Sequence, residues 1–226
     1  VDFPNAGYTS GSSYIRFPDP SIGEKAFTFE CFFESDVNLS SQSIFSDGTG
    51  LWGDVTLALK NNSYVDNING IYLWQSNNSG GSFEYVYWGS DTTGDLWTAD
   101  GGMKHVVLVR EAKVGTTSQW KLYLDGNYIA PNEYSDGSPE GNLTTLSIGG
   151  DDHFLGKTPN STYYFNGSMA EVRLSFTNTN YVGTGTYPIP TTPYPSGIIT
   201  QLFSQNSDGT STELNRNWVA LPEDAS

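Results

Sequence analysis

The stretch 104–130, KHVVLVREAKVGTTSQWKLYLDGNYIA, shows the pattern on which the chain is built. His105 to Arg110 is apolar on both faces, as a strand covered on two sides would be, whereas Gln119 to Leu124 alternates. Trp120, Leu122 and Leu124 take one side of that alternation, and Gln119, Lys121 and Tyr123 take the other. Asp125-Gly126 supplies the two positive-φ positions of a type I′ turn, so Asn127 to Ala130 is predicted to fold straight back as a hairpin. Elsewhere AFTFECFFES predicts a long strand with aromatic side chains on both faces, and SIFSD, VTLALK, GIYLWQS, FEYVYWG, TLSIGG and SMAEVRLSF predict further strands. The segments between them, DGTG, NNSGG, DTTGD, DGSPEGN and KTPNST, are rich in turn formers. VDFPN and SSYIRFPD predict an opening strand pair joined through Gly-Tyr-Thr-Ser-Gly. From Tyr187 the prolines of YPIPTTPYPSG cannot donate to a ladder and predict an extended crossing over the surface. IITQLF predicts a closing strand, and the polar remainder carries one apolar patch at Trp218 to Leu221, predicted to dock as an edge strand or against a neighbour.

This pattern, with almost no helix, predicts an all-β fold of two packed antiparallel sheets. At 226 residues the chain is long enough for one sizeable core, and we assign residues 1–205 to a single sandwich and 206–226 to a C-terminal tail. The 25 glycines, 14 tyrosines and 12 phenylalanines agree with strands joined by many turns. Ten Lys and Arg against 25 Asp and Glu give a formal net charge of −15, which repels polyanions and makes duplex nucleic acid a poor partner. Neutral glycans and cations such as Ca²⁺ are compatible with that field, and so is simple solubility in a salty extracellular medium. Cys31 is the one cysteine, which excludes an intramolecular disulfide framework; alternating with Phe27, Phe29 and Phe33, it is read as a buried, inert thiol. No apolar run approaches the roughly 20 residues needed to span a bilayer. The start at Val1, without Met or a signal-like segment, leads us to expect a processed product or an excised domain. The six N-x-S/T sequons, at Asn38, Asn61, Asn77, Asn142, Asn160 and Asn166, are too few in so Asn-, Ser- and Thr-rich a chain to argue for glycosylation.

Taken in order, the strand blocks resemble those of laminin G-like, concanavalin A-like jelly rolls. YIRFPDPSIGEKAFTFECFFE is similar to that family's opening element, KHVVLVR to its "W-H-H-V-A-x-x-R" strand, and WKLYLDGNYIA to "x-L-Y-L-D-G-x-x-x-A". LSIGG and FNGSMAEVRLS are similar to the family's "x-I-G" and "F-x-G-x-I-D-E-V-R-I-S". The segment TNTNYVGTGTYPIPTTPYPSG resembles the "R-Y-x-x-N-F-x-x-P-x-x-P-F" ending of such modules in bacteriophage and other viral tail or appendage proteins, with Tyr181, Tyr187, Pro190 and Tyr194 at the corresponding places. Two departures stand out: Ala170 occupies the place of the family's acidic residue, and Phe32 or Phe33 replaces a tryptophan.

The resemblance implies a scaffold that carries lectins, carbohydrate-binding modules, glucanases, lyases and structural domains alike, so function has to be argued from sites. The glucanases place acid and nucleophile on one strand as E-x-D-x-E; the nearest approach here, Glu34-Ser35-Asp36, has Asn38 where the second glutamate belongs. His105 falls on the family's strand histidine and reads as a packed imidazole, and His153 lacks a nucleophile context. We therefore expect no enzyme.

The aromatics suggest binding instead. Sugar rings present C–H patches that stack on flat amphipathic side chains, and GIYLWQSNNSGGSFEYVYWGSDTTGDLW is dense in such residues. If Ile71, Leu73, Val86 and Trp88 face the core, then Tyr72, Trp74, Tyr85 and Tyr87 line the outer surface of one sheet, with Asn77, Asn78 and Asp91 at hand for hydroxyls and Trp52 as a further exposed ring. Cross-strand aromatic pairs also stabilise sheets by themselves, so the two readings stand side by side. By family analogy, Asp151 and Asp152 are the candidate ligands for Ca²⁺. The expectation that follows is a non-enzymatic module on a virion surface or in the extracellular medium. It binds glycans or host-surface polysaccharide and contacts other virion proteins, with neither nucleic-acid binding nor membrane insertion, and its tail is a candidate contact for homo-oligomers. The alternatives are a secreted carbohydrate-binding module of a polysaccharide-degrading enzyme and a purely structural virion decoration domain.

Overall fold

The computed structural model describes residues 2–3, 14–17, 22–38, 41–48, 55–62, 68–76, 83–89, 94–134, 141–148, 153–159, 163–176, 181, 183–191, 202–205 and 211–214. Among these residues there is no helix. In chain order the strands are β1 (Asp2–Phe3), β2 (Tyr14–Phe17), β3 (Phe27–Ser35), β4 (Gln42–Asp47), β5 (Val55–Asn62), β6 (Ile68–Ser76), β7 (Phe83–Trp88) and β8 (Lys104–Arg110). They continue as β9 (Thr117–Leu124), β10 (Asn127–Ile129), β11 (Glu133–Tyr134), β12 (Asn142–Thr144), β13 (His153–Leu155), β14 (Gly167–Ser175), β15 (Leu202–Gln205) and β16 (Ser211–Leu214).

Two antiparallel sheets result, one of seven strands in the order β1-β14-β3-β8-β9-β10 with β12 also paired to β9, the other of nine in the order β11-β7-β6-β5-β4-β13-β2-β15-β16. This is the two-sheet β-sandwich that the two-residue period predicts, in the jelly-roll form that the family resemblance implies. The period places Phe27, Phe29, Cys31 and Phe33 of β3, Leu57 and Leu59 of β5, and Trp120 and Leu122 of β9 in one buried cluster between the sheets. Phe29 of one sheet meets Phe45 of the other at 4.9 Å between ring centres. Full burial of each such side chain contributes about 1.5–3 kcal/mol, so this layer is the main source of stability. Cys31 lies inside it, and burial first, then neighbouring Glu30, raises its pKa and keeps the thiol protonated.

The hairpin at Asp125-Gly126 forms as its sequence demands, with φ of 48° and 77° and Asn127 opposite Leu124. The opening segments behave differently from expectation. β1 pairs with β14 in one sheet, whereas β2 pairs with β13 and β15 in the other. Alternation identifies a strand but carries no information about its partner, and here each opening strand finds its ladder against a late segment of the chain.

The apolar outer face of β8 is explained by a second, smaller layer. Val107, Val109, Tyr123 and Tyr181 form a buried cluster on the far side of the seven-stranded sheet, with Tyr128 and Tyr187 packed on it. The segment 183–191 runs over this face as the prolines predict. Tyr123 donates its hydroxyl to the Gly183 carbonyl at 2.7 Å, and the Tyr187 amide donates to the Gly126 carbonyl at 2.7 Å. At the opposite chain extreme, β16 pairs with β15, and Trp218 to Leu221 lie outside the described residues.

Candidate functional site

The outer face of β5, β6 and β7 is built by register. Thr56, Trp74 and Tyr85 stand in one row across the three strands, and Ala58, Tyr72 and Tyr87 stand in the next. Between these rows Leu57, Leu73 and Val86 point into the core, as do Ile71 and Trp88. Small residues on β5 leave the neighbouring rings room to lean together. Tyr72 lies 5.2 Å from Trp74, 5.7 Å from Tyr85 and 4.6 Å from Tyr87 between ring centres, all in tilted arrangements. Such pairs contribute about 0.5–1.5 kcal/mol each beyond their area burial, so the cluster holds its shape without a ligand.

Exposure is graded across the cluster. Tyr87 is 0% exposed and Tyr72 6%, Trp74 and Tyr85 are partly exposed, and Phe83 at the start of β7 is 48% exposed. Tyr87 thus lies on the face its alternation predicts but is not accessible; its ring lies against Gly70, where a Cβ would overlap it. The Gly70 carbonyl accepts from the Trp97 indole at 2.8 Å, and the neighbouring Asn69 amide donates to the Asp95 carboxylate at 2.7 Å. Loop 94–100 is in this way tied to the strand that carries the rings, and Trp97, at 2% exposure, is a packing residue. Lys60, on the outer side of β5, places Nζ 4.5 Å from the Tyr72 ring centre and 5.3 Å from that of Trp74.

Tyr72, Trp74, Tyr85 and Tyr87 are therefore brought together, while Trp52, Asn77, Asn78, Asp91, Asp151 and Asp152 lie outside the described residues. Two members of the face escaped the sequence reading. Phe83 has the same parity as Tyr85 and Tyr87 and was legible from that alone. Lys60 follows Thr56 and Ala58 at the same period, but nothing in its sequence neighbourhood marks a lysine as lying over rings.

Other chemistry-bearing groups are engaged in packing. His105 stacks against Phe32 at 4.6 Å and approaches the buried Glu30 carboxylate at 3.4 Å. His153 faces Asp47, both fully buried on the inner side of the nine-stranded sheet. Glu34 sits at the end of β3 opposite Ser168, and the intervening Ser35 hydroxyl is bonded within the chain to Gln42. Among the described residues no group of three or more His, Cys, Asp or Glu is placed to hold a metal ion.

Residues 9–180 match the family model of the concanavalin A-like lectin/glucanases superfamily. No curated protein sequence matches the chain. Among solved structures, the native heptameric SAP-like pentraxin from Limulus polyphemus aligns with a TM-score of 0.50 at 14% identity, covering 77% of this chain and 74% of the pentraxin. A putative carbohydrate-binding protein from Bacteroides ovatus aligns at 0.48 and 16% identity over 97% of this chain and 62% of its own. The CBM40 of the Ruminococcus gnavus IT-sialidase, solved bound to α2,3-sialyllactose, aligns at 0.46 and 18% identity over 74% of this chain and 86% of its own. At such identities these likenesses are likenesses of fold.

Proposed function

The chain belongs to the concanavalin A-like lectin/glucanases superfamily, and on that footing we propose that it is a non-catalytic module that binds carbohydrate through the outer face of β5, β6 and β7. The observation that carries this reading is the graded exposure of the aromatics on one sheet face, from fully buried Tyr87 through partly exposed Trp74 and Tyr85 to Phe83, further along the same face of β7, at 48%. A row of rings serving the sheet alone has no need to rise into solvent, whereas a stacking platform needs exposed rings on a buried footing. Because Tyr72 and Tyr87 brace Trp74 and Tyr85, little conformational entropy is lost when a sugar stacks on them. Asn77 and Asn78 follow β6 in the chain and Asp91 follows β7, and we assign them to sugar hydroxyls. No catalytic role is assigned: His105 and His153 are buried in packing, and Glu34-Ser35-Asp36 has Asn38 in place of the second glutamate that the glucanase pattern requires.

We place the module on the surface of a virion tail or appendage. That setting rests on the likeness of Tyr181, Tyr187 and Pro190 to the ending found in such modules, and Tyr181 and Tyr187 here close the second apolar layer. A secreted carbohydrate-binding module attached to a polysaccharide-degrading enzyme would use the same face in the same way.

Glycan-array binding by the wild-type chain and by Trp74→Ala tests the proposal. We expect wild type to bind a subset of glycans and Trp74→Ala to lose about tenfold or more in affinity, equivalent to about 1.4 kcal/mol, with a melting temperature close to wild type. Binding that Trp74→Ala leaves intact would place recognition elsewhere. Cleavage of a polysaccharide by the isolated chain would overturn the non-catalytic assignment.

A further inference from the structure

Exposure on the ring-bearing face has a direction. Across the strands from Trp74, the same row continues to Thr56 and then Ser46, both 0% exposed, and Ser46 donates its hydroxyl to the Lys157 carbonyl at 2.7 Å. The face is therefore covered over β4 and β5. Along the strands in one direction stand Tyr72 and Tyr87, at 6% and 0% exposure, with the Lys60 ammonium 4.5 Å from the Tyr72 ring centre. In the other direction the face opens. The next outward row sets Ser76 opposite Phe83; Ser76 is partly exposed and Phe83 is 48% exposed.

A single exposed phenylalanine is ordinary on a protein surface. Phe83 is set apart by its register. It shares the face of Tyr85 two residues along β7, a step of about 7 Å in a strand, which is comparable with the advance of one sugar unit along a chain. Its ring offers a second flat apolar surface for stacking, and the Ser76 hydroxyl in the same row can both donate to and accept from a sugar hydroxyl. We infer, resting on the carbohydrate-binding reading above, that this face takes a saccharide chain laid along β7 rather than a single sugar. One unit stacks on Trp74 and Tyr85, the next stacks on Phe83 beside Ser76, and Phe83 is the residue that makes affinity depend on chain length.

The test titrates the full chain with cello-, malto-, xylo-, manno- and chito-oligosaccharide ladders of one to six units, following the Trp74 indole N–H resonance, which reads weak and tight binding alike. Wild type, Phe83→Ala and Phe83→Trp are compared, and melting curves check that both variants fold. For the ladder that binds, wild type should gain about tenfold in affinity from one unit to two. Phe83→Ala should bind the single sugar as wild type does and lose that gain, whereas Phe83→Trp should keep it. Equal wild-type affinity for one unit and two overturns the inference. So does a gain that survives in Phe83→Ala, or a loss in Phe83→Ala as large for the single sugar as for the longer members. Single-sugar binding that is abolished by Trp74→Ala and does not grow with length removes only the chain-length claim and leaves the carbohydrate-binding proposal standing. Binding of no ladder member also contradicts the inference, and the broader proposal then stands or falls on the glycan array.

Discussion

At Gly70 the space of an absent side chain is filled by the Tyr87 ring, and the same residue's carbonyl receives the Trp97 indole. A methyl group there has to displace Tyr87, which is fully buried and in contact with Tyr72 at 4.6 Å. Gly70→Ala is therefore expected to destabilise the fold by about 1–3 kcal/mol, the usual range for overpacking, measured as a lowered urea midpoint. Glycan affinity should fall with it, because Tyr72 loses its footing. An unchanged midpoint would mean that the ring has room to move and that the bracing argument is wrong. Arg110 shows a different kind of buried dependence. Its guanidinium stacks on Phe27 at 5.0 Å and donates to the carbonyls of Gly23, Lys25 and Leu146. Burial lowers its pKa to about 10, with Glu24 and Asp47 opposing that shift, so it remains charged at neutral pH. The sequence showed Arg110 as the end of an apolar strand and as the arginine of the family's strand motif, but its role depends on three carbonyls from two distant loops, and no local pattern encodes that.

Among the elements, the crossing segment, Tyr181 with residues 183–191, has the clearest energetic signature. Tyr181 donates its hydroxyl to the buried Glu30 carboxylate at 2.8 Å, and Arg173 pairs with the same carboxylate. Burial raises the phenol pKa of Tyr181, reinforced by Glu30, and burial likewise raises that of Tyr123. Both shifts favour the neutral phenol in the folded chain. Their contribution is thus complete below the unfolded phenol pKa of about 10 and is lost as pH rises above it, because the unfolded chain then releases protons that the fold retains. Melting temperatures should decline steadily above about pH 10, and Tyr181→Phe, though less stable at neutral pH by about 1–3 kcal/mol, should decline less steeply. Parallel slopes for the two proteins would separate alkaline unfolding from this contact. The strands themselves were largely legible: parity in GIYLWQS and FEYVYWG separated Ile71, Leu73, Val86 and Trp88 from their neighbours, and the structure places that set in the core. What parity cannot tell is how much covers a face. Tyr87 and Phe83 have the same parity on one strand, yet one is fully buried and the other half exposed, because cover comes from elements remote in sequence. The same limit explains β1 and β2, recognisable as strands but not as members of different sheets.

For the whole molecule, two sheets enclose one large core, and each sheet's outer face has a different fate. The seven-stranded sheet is closed over by the tyrosines of the crossing segment, while the nine-stranded sheet carries rings that rise from buried Tyr87 to exposed Phe83 under a lysine. The strong negative charge discourages nucleic acids and other polyanions and is compatible with the uncharged saccharides we propose as ligands. In the function we propose, a sugar stacks on the outer face of β5, β6 and β7. Indole N–H resonances test it within the intact protein, because Trp74 is partly exposed on that face whereas Trp88, Trp97 and Trp120 are buried. In a heteronuclear NMR titration with a glycan that the array identifies, the Trp74 indole should shift progressively to saturation while those of Trp88, Trp97 and Trp120 stay nearly fixed. Saturable glycan binding that leaves the Trp74 indole unmoved would contradict the account.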